Sequence, residues 1–238
     1  MNSTRKTALI AGIFYLLTEV TAIGALLSYG PILSDPTYIA ASGDDTRVLV
    51  GAFLEVLLAV AVVGSAVTLY PVIKMYGGGL ALGYVAGRLI EAAIILVGTM
   101  SLLTIVTLRS DGATDSQAAV TVGQSLVALH AWTFLFGPKL ALGVNTVLLA
   151  SLMFRSRLVP RPIAVLGLFG GSLVFVSGTA VLFGAYADLS ITGFAAAMPV
   201  LAWELSVALW MVIKGFRSVT PATGSTPAGT RPTASVSV

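Results

Sequence analysis

The chain has 238 residues, of which 57% are hydrophobic and 10% charged, against about 45–50% apolar and about 25% charged in soluble domains. A globule of this length cannot enclose so much apolar surface, so part of it must face lipid, which excludes a secreted enzyme, a nucleic-acid binder and a disordered scaffold. The formal net charge is +3 and cysteine is absent, which also excludes disulfides, thiolate catalysis and Cys-based metal sites.

A helix crossing a hydrocarbon core of about 30 Å needs about 20 mostly apolar residues. Six runs meet that length, with limits near 7–29, 48–72, 80–108, 127–152, 162–186 and 194–215. They are continuously apolar rather than alternating, which predicts helices and not barrel strands. The expected fold is all-α, a polytopic bundle of six transmembrane helices forming one domain over residues 1–216.

The first run follows Arg5-Lys6, carries Glu19 and meets its break at Gly30-Pro31. A signal peptide is the competing reading of this end, but the run is longer than an h-region and Glu19 interrupts it. The second run carries Glu55 and is expected to end at Tyr70-Pro71, before Gly77-Gly78-Gly79; the third carries Arg88 and Glu91, is long enough to tilt, and ends before Asp111-Gly112. The fourth holds Gly137-Pro138-Lys139 near its middle, where proline lacks a donor and clashes one turn back, predicting a kink and a freed carbonyl near Phe134. Pro160-Arg161-Pro162 leads into the fifth run, whose Gly167-x-x-x-Gly171 step reads as helix packing, and the sixth carries Glu204. Residues 217–238 turn to Ser, Thr, Pro, Ala and Gly, a composition that predicts a disordered cytoplasmic tail.

Six spans place both chain ends on one side. Arg5, Lys6, Lys74, Arg155, Arg157, Arg161, Lys214, Arg217 and Arg231 fall on that side, and only Arg47 and Arg109 on the other. Lysine and arginine accumulate in cytoplasmic loops, so both termini are expected in the cytoplasm. Asp35, Asp44, Asp45, Asp111, Asp115 and Asp188, every Asp in the chain, then lie in outer loops.

Every Glu is intramembrane, joined by Arg88 and Lys139. A charge at mid-span opposes insertion by about 2.5–3.5 kcal/mol, so these six side chains are expected to face protein or water. Helical spacing places Glu91 on a stripe with Gly83, Gly87 and Gly98, Glu19 with Gly12 and Ala22, Glu55 with Gly51 and Ala59, and Glu204 with Ala197 and Ala208. Four carboxylates on small-residue faces predict a common packed interior, the candidate polar cluster Glu19, Glu55, Arg88, Glu91, Lys139 and Glu204. The rise per residue puts Glu19, Lys139 and Glu204 near mid-depth, Arg88 and Glu91 inward of it, Glu55 outward, and His130 near the outer interface as a solvated or interfacial residue. Four Glu against two cations leave two carboxyls without a basic partner, so one or two are expected to hold a proton at neutral pH, as a proton-coupled transporter requires. Lys139 is expected to pair with Glu204 or Glu19, either as a clamp on a kinked helix or within a site. Arg88 and Glu91 read as an ion pair, structural or part of a working site.

Catalytic patterns do not assemble. There is one His and no Glu-x-x-His, Gly170-Gly171-Ser172 does not complete a nucleophile elbow, and no phosphate-cradling loop occurs. No catalytic residue, metal or cofactor is therefore expected.

Several segments together carry a family resemblance: Leu54-Glu55-Val56 leading to Thr68-Leu69-Tyr70-Pro71, Gly87-Arg88-Leu89-Ile90-Glu91-Ala92, Trp132-Thr133-Phe134-Leu135-Phe136-Gly137-Pro138, Arg155-Ser156-Arg157-Leu158-Val159-Pro160-Arg161, and Trp203-Glu204-Leu205. The set resembles the bacterial multi-span membrane proteins grouped as domain of unknown function 4386. The resemblance implies a protein of the bacterial inner membrane, implies no activity, and makes Lys139 a departure from a Gly-Pro step commonly followed by Gly. The leading expectation is a small, proton-coupled transporter or permease acting on a small molecule the sequence does not identify. The alternatives are a membrane-embedded regulatory or assembly subunit and an intramembrane enzyme acting on a lipid. Lipid is the expected partner and nucleic acid is not; a homo-oligomer or another membrane partner stays open.

Overall fold

Apolar side chains gain nothing from leaving lipid, whereas an unpaired backbone amide in hydrocarbon costs several kcal/mol, so such a chain satisfies its backbone within helices. The computed structural model describes residues 3–35, 37–40, 44–112, 117–188 and 190–217, and no strand occurs among them. Asp115, Arg231 and the tail beyond Arg217 lie outside the described residues.

The helices are α1 (Ser3–Ser28), the short α2 (Gly30–Ser34), α3 (Thr46–Ile73), α4 (Gly78–Ser110), α5 (Gln117–Leu135), α6 (Leu142–Ser156), α7 (Arg161–Leu182) and α8 (Ile191–Ile213). A π-helical segment, Phe136–Ala141, joins α5 to α6. With α5, this segment and α6 counted as one, six helices are long and apolar enough to cross a membrane. The protein is a multi-pass membrane protein. Ile13, Val20, Phe53, Val60, Val67 and Phe169 are exposed on its flanks, as lipid-facing residues must be.

Three prolines act differently from the sequence expectation or extend it. Tyr70-Pro71 does not end the second span, because Pro71 lies inside α3, which runs on to Ile73 before a 3-10 turn over Lys74–Tyr76; the helix continues past it for barely half a turn. The first span breaks just before Gly30-Pro31, as expected, and Pro31 then opens the short α2, where its missing N–H is no loss. The expected kink at Pro138 takes the form of the π segment, whose wider ring accommodates the proline without breaking the span. That span also starts ten residues earlier than expected, at Gln117. Its polar first turns were invisible to an apolarity count, yet the Thr121 and Ser125 hydroxyls donate to the carbonyls of Gln117 and Thr121 and sit comfortably in a helix.

The spans close a ring in chain order: α1 packs on α3, α3 on α4, α4 on the fourth span, the π segment and α6 on α7, α7 on α8, and α8 back on α1. Small residues permit the tight seams. A Cβ on Gly143 would lie 2.8 Å from the Gly171 carbonyl oxygen, and one on Gly12 would lie 2.8 Å from that of Ala208. Gly171 thus packs against α6, while Gly167 receives the Trp203 ring of α8, so the predicted packing step serves two neighbours.

Two faces are distinguished by connectivity. The terminal face carries both described chain ends and the 74–77 and 157–160 turns; the distal face carries the α2–α3, α4–α5 and α7–α8 connections. At the terminal face the Arg5 guanidinium caps α8, donating to the Met211, Val212 and Ile213 carbonyls at 2.8, 2.7 and 3.1 Å. The terminal half is filled by one large core that includes Tyr15, Leu69, Tyr84, Leu149, Met153 and Met211. The distal half holds a smaller core around Tyr29, Ile39, Val48 and Leu102, and the space this leaves is the candidate site.

Candidate functional site

Arg88 and Glu91 lie three apart on α4, a spacing that stacks their side chains on one face. Arg88 is 2% exposed and Glu91 4%. The Arg88 Nη1 donates to both Glu91 oxygens, at 3.0 and 3.1 Å, and Asn145 Nδ2 donates to Glu91 Oε2 at 2.7 Å from α6. Glu204 from α8 lies 3.9 Å from the Arg88 Nη2, and Glu19 from α1 borders the same cavity as Glu204. The guanidinium carbon sits 5.1 Å from the Tyr15 ring centre and 5.9 Å from that of Tyr84, whose hydroxyls bond each other at 2.9 Å. The cation therefore lies between two aromatic rings and two carboxylates, which is how a guanidinium is accommodated out of water.

A cavity of about 140 Å³ is bordered by Glu19, Arg88, Glu91 and Glu204. Three carboxyl groups therefore face a single guanidinium around it. The structure thus brings together four of the six expected cluster members. The small stripe of α4 receives the fourth span, with Asn145 against Gly87 and Thr133 and His130 against Gly98.

Glu55 occupies a second station nearer the distal face. Its Oε2 accepts from Tyr29 at 2.8 Å and from Thr99 at 2.7 Å. It borders a cavity of about 170 Å³ that shares Ala22, Leu58, Ile95 and Pro138 with the deeper one. A third cavity of about 440 Å³ shares Leu26, His130 and Phe134 with the second and reaches Asp188 at the distal face. Three adjoining cavities thus descend from the distal face to the Arg88 cluster and stop at the filled terminal half.

Two expectations are corrected here. Lys139 pairs with neither Glu204 nor Glu19 but forms an ion pair with Asp188 of the α7–α8 connection. The π segment turns it toward α7, where its Cβ lies 3.3 Å from the position a Gly178 side chain would take, and its long stem carries the ammonium toward the distal face. His130 is not solvated: it is 6% exposed, its ring stands edge-on to Tyr29 at 5.4 Å, and its Nδ1 makes no hydrogen bond to any described residue. The sequence reading also passed over Asn145, Tyr29 and Thr99. Asn145 was detectable as a polar residue deep in an apolar run; Tyr29 and Thr99 are ordinary in spans and gave no signal.

At the distal face Asp45 ties the elements together. It forms an ion pair with Arg109, whose guanidinium carbon lies 4.5 Å from the Tyr38 ring centre, and it accepts from the Tyr38 hydroxyl at 2.8 Å. Burial, together with that bond to a carboxylate, pushes the Tyr38 phenol up to about 12. Asp35 and Asp44 are held below the ordinary carboxylate range by the hydroxyl and amide of Thr37 and Thr46 respectively. Among the described residues no group of three or more His, Asp or Glu is placed to hold a metal ion.

Residues 10–215 match the family model described as Domain of unknown function (DUF4386), so the chain belongs to that family. No curated protein and no solved structure matches it.

Proposed function

We propose that this DUF4386 member is a small proton-coupled transporter of the bacterial inner membrane, with its chamber facing outward and its cytoplasmic half closed. The carrying observation is the descent of adjoining cavities from the distal face to the Glu19–Glu204–Arg88–Glu91 cluster, beyond which the large terminal core fills the ring. The excess of basic residues at the terminal face supports placing that face, and the tail after Arg217, in the cytoplasm.

The cluster suits coupling because Arg88 has two carboxylate partners at unequal distance, Glu91 at 3.0 Å and Glu204 at 3.9 Å. In this reading Glu204 and Glu19 share one proton at rest, and Glu91 is then the better partner. Loss of that proton turns the pair into two close anions and draws the guanidinium toward Glu204. Proton release and movement of α8 against α4 are then one event. The π segment at Pro138, which borders both deeper cavities, is the natural place for the fourth span to flex.

The test needs no known substrate. Purified protein in liposomes adsorbed on a solid-supported membrane is stepped in pH, and the transient charge displacement is recorded. Wild-type protein should give a displacement that Glu204→Gln removes and Glu204→Asp retains. Equal displacement in wild type and Glu204→Gln, both with intact melting transitions, overturns the reading. Orientation is checked by cysteines introduced singly at the exposed Asp44 and Arg155 of this cysteine-free chain: an impermeant thiol reagent outside the cell should label the first and not the second.

A further inference from the structure

The station at Glu55 has a chemistry of its own. Its carboxylate is 9% exposed and enters no ion pair among the described residues, and its hydrogen bonds come from two neutral hydroxyls that both fall on Oε2. Buried charges are ordinarily matched by an opposite charge. The other faces of the cavity are apolar or aromatic, with the Tyr29, His130 and Phe134 rings around it. His130 adds an independent sign: it is buried, borders both this cavity and the wider one above, and its Nδ1 has no hydrogen-bond partner among the described residues. Recognition of organic ammonium groups uses this combination, a carboxylate for the charge and ring faces for the substituents. A bare inorganic cation would find too few oxygens here, since such ions take about six or more.

We propose that Glu55, Tyr29, His130 and Phe134 form a binding site for a small organic ammonium ion entering from the distal face. This assignment rests on the transport reading and names the class of substrate. The carboxylate takes the charge, Phe134 and Tyr29 face the carbon skeleton, and His130 offers a ring nitrogen to an ammonium N–H. The two cavities adjoining at His130, of about 170 and 440 Å³, suit a molecule of the size of benzylamine. From this station the ammonium faces the deeper cavity, whose three carboxyl groups against one guanidinium draw it on.

The test titrates the full chain in detergent calorimetrically with benzylammonium, benzyl alcohol and benzoate, which share a ring and differ in charge. Benzylammonium should bind, the alcohol should bind much more weakly, and benzoate should not bind. Glu55→Gln should weaken benzylammonium by about thirtyfold or more, the loss expected when one member of a buried charge pair is removed, and Glu55→Asp should recover part of it. His130→Phe should reduce the preference for benzylammonium over benzyltrimethylammonium, which has no N–H to offer. If Glu55→Gln does not fold, the ligand series on wild type still decides. No discrimination among the three probes, or unchanged affinity in folded Glu55→Gln, overturns the site. A Glu55-dependent response to sodium chloride equal to that with benzylammonium overturns the organic class. Charge displacement after a pH step without benzylammonium binding would defeat this inference alone; binding that depends on Glu55 without any displacement would defeat the transport reading and leave the site standing.

Discussion

Replacing Glu91 by Met removes both carboxylate oxygens that hold the Arg88 Nη1 at 3.0 and 3.1 Å and the acceptor of the Asn145 amide. The guanidinium, 2% exposed, is then left with Glu204 at 3.9 Å, the Tyr84 hydroxyl 3.5 Å from its Nε and two aromatic rings. Breaking a buried pair from one side costs about 3–5 kcal/mol, whereas replacing both members by apolar groups is often neutral or stabilising. Hydrogen bonds between membrane helices average only about 0.6 kcal/mol, so the Asn145 contribution is small and the uncompensated cation dominates. Glu91→Met and Arg88→Met should each lower the melting transition sharply, and the double variant should lie well above the sum of the two losses, with a coupling of about 2 kcal/mol or more. Recovery should stay incomplete, because without Arg88 the Glu19–Glu204 pair has no cation. Thermal unfolding in detergent followed by tryptophan fluorescence reads this directly, since Trp203 stands edge-on to Tyr15 at 6.2 Å, next to the cluster. Losses that add within about 0.5 kcal/mol would show that the two charges do not depend on each other, and would refute the reasoning.

The spans were legible because hydrocarbon imposes a length and a polarity that a sequence cannot hide, and every one of the six appears with its ends displaced by a few residues, the start of the fourth excepted. The pairing of Arg88 with Glu91 was legible for a similar reason, since three residues on one helix fix the distance before any tertiary structure forms. Lys139 shows where that reasoning stops. Depth computed from helical rise assumed an α-helix and a side chain lying level with its Cα, but the π segment rotates the residue and the stem carries the ammonium to Asp188. Which spans neighbour one another was not readable either, because small residues mark a close seam without naming the partner; that Gly87 receives Asn145 follows only from the ring order. The solvation expected of His130 came from the polar stretch before it, although the helix face it occupies turns toward Gly98 and Tyr29.

Arg5→Ala should lower the melting temperature by about 2–8 °C, because it removes a cation from three terminal carbonyls of α8 worth about 1–2 kcal/mol; an unchanged transition would mean that the cap contributes nothing. Tyr38 should titrate near pH 12 in an ultraviolet difference spectrum, and the stability its protonated phenol contributes should be complete below the ordinary value of about 10 and lost as pH rises toward 12, a component that Tyr38→Phe removes. The ion pair of Lys139 with Asp188 makes an asymmetric demand. The lysine side chain is 8% exposed and that of Asp188 21%, so Asp188→Asn strands a cation that water barely reaches, while Lys139→Met strands an anion at the distal face that water can solvate. Asp188→Asn should therefore be the more destabilising single change, and adding Lys139→Met to it should restore stability rather than lower it further. Combining Lys139→Met with Glu204→Gln should instead be additive, since no bond joins those residues. A coupling above about 0.5 kcal/mol between Lys139 and Glu204, with none between Lys139 and Asp188, would return the lysine to the central cluster and undo the separation of the two sites.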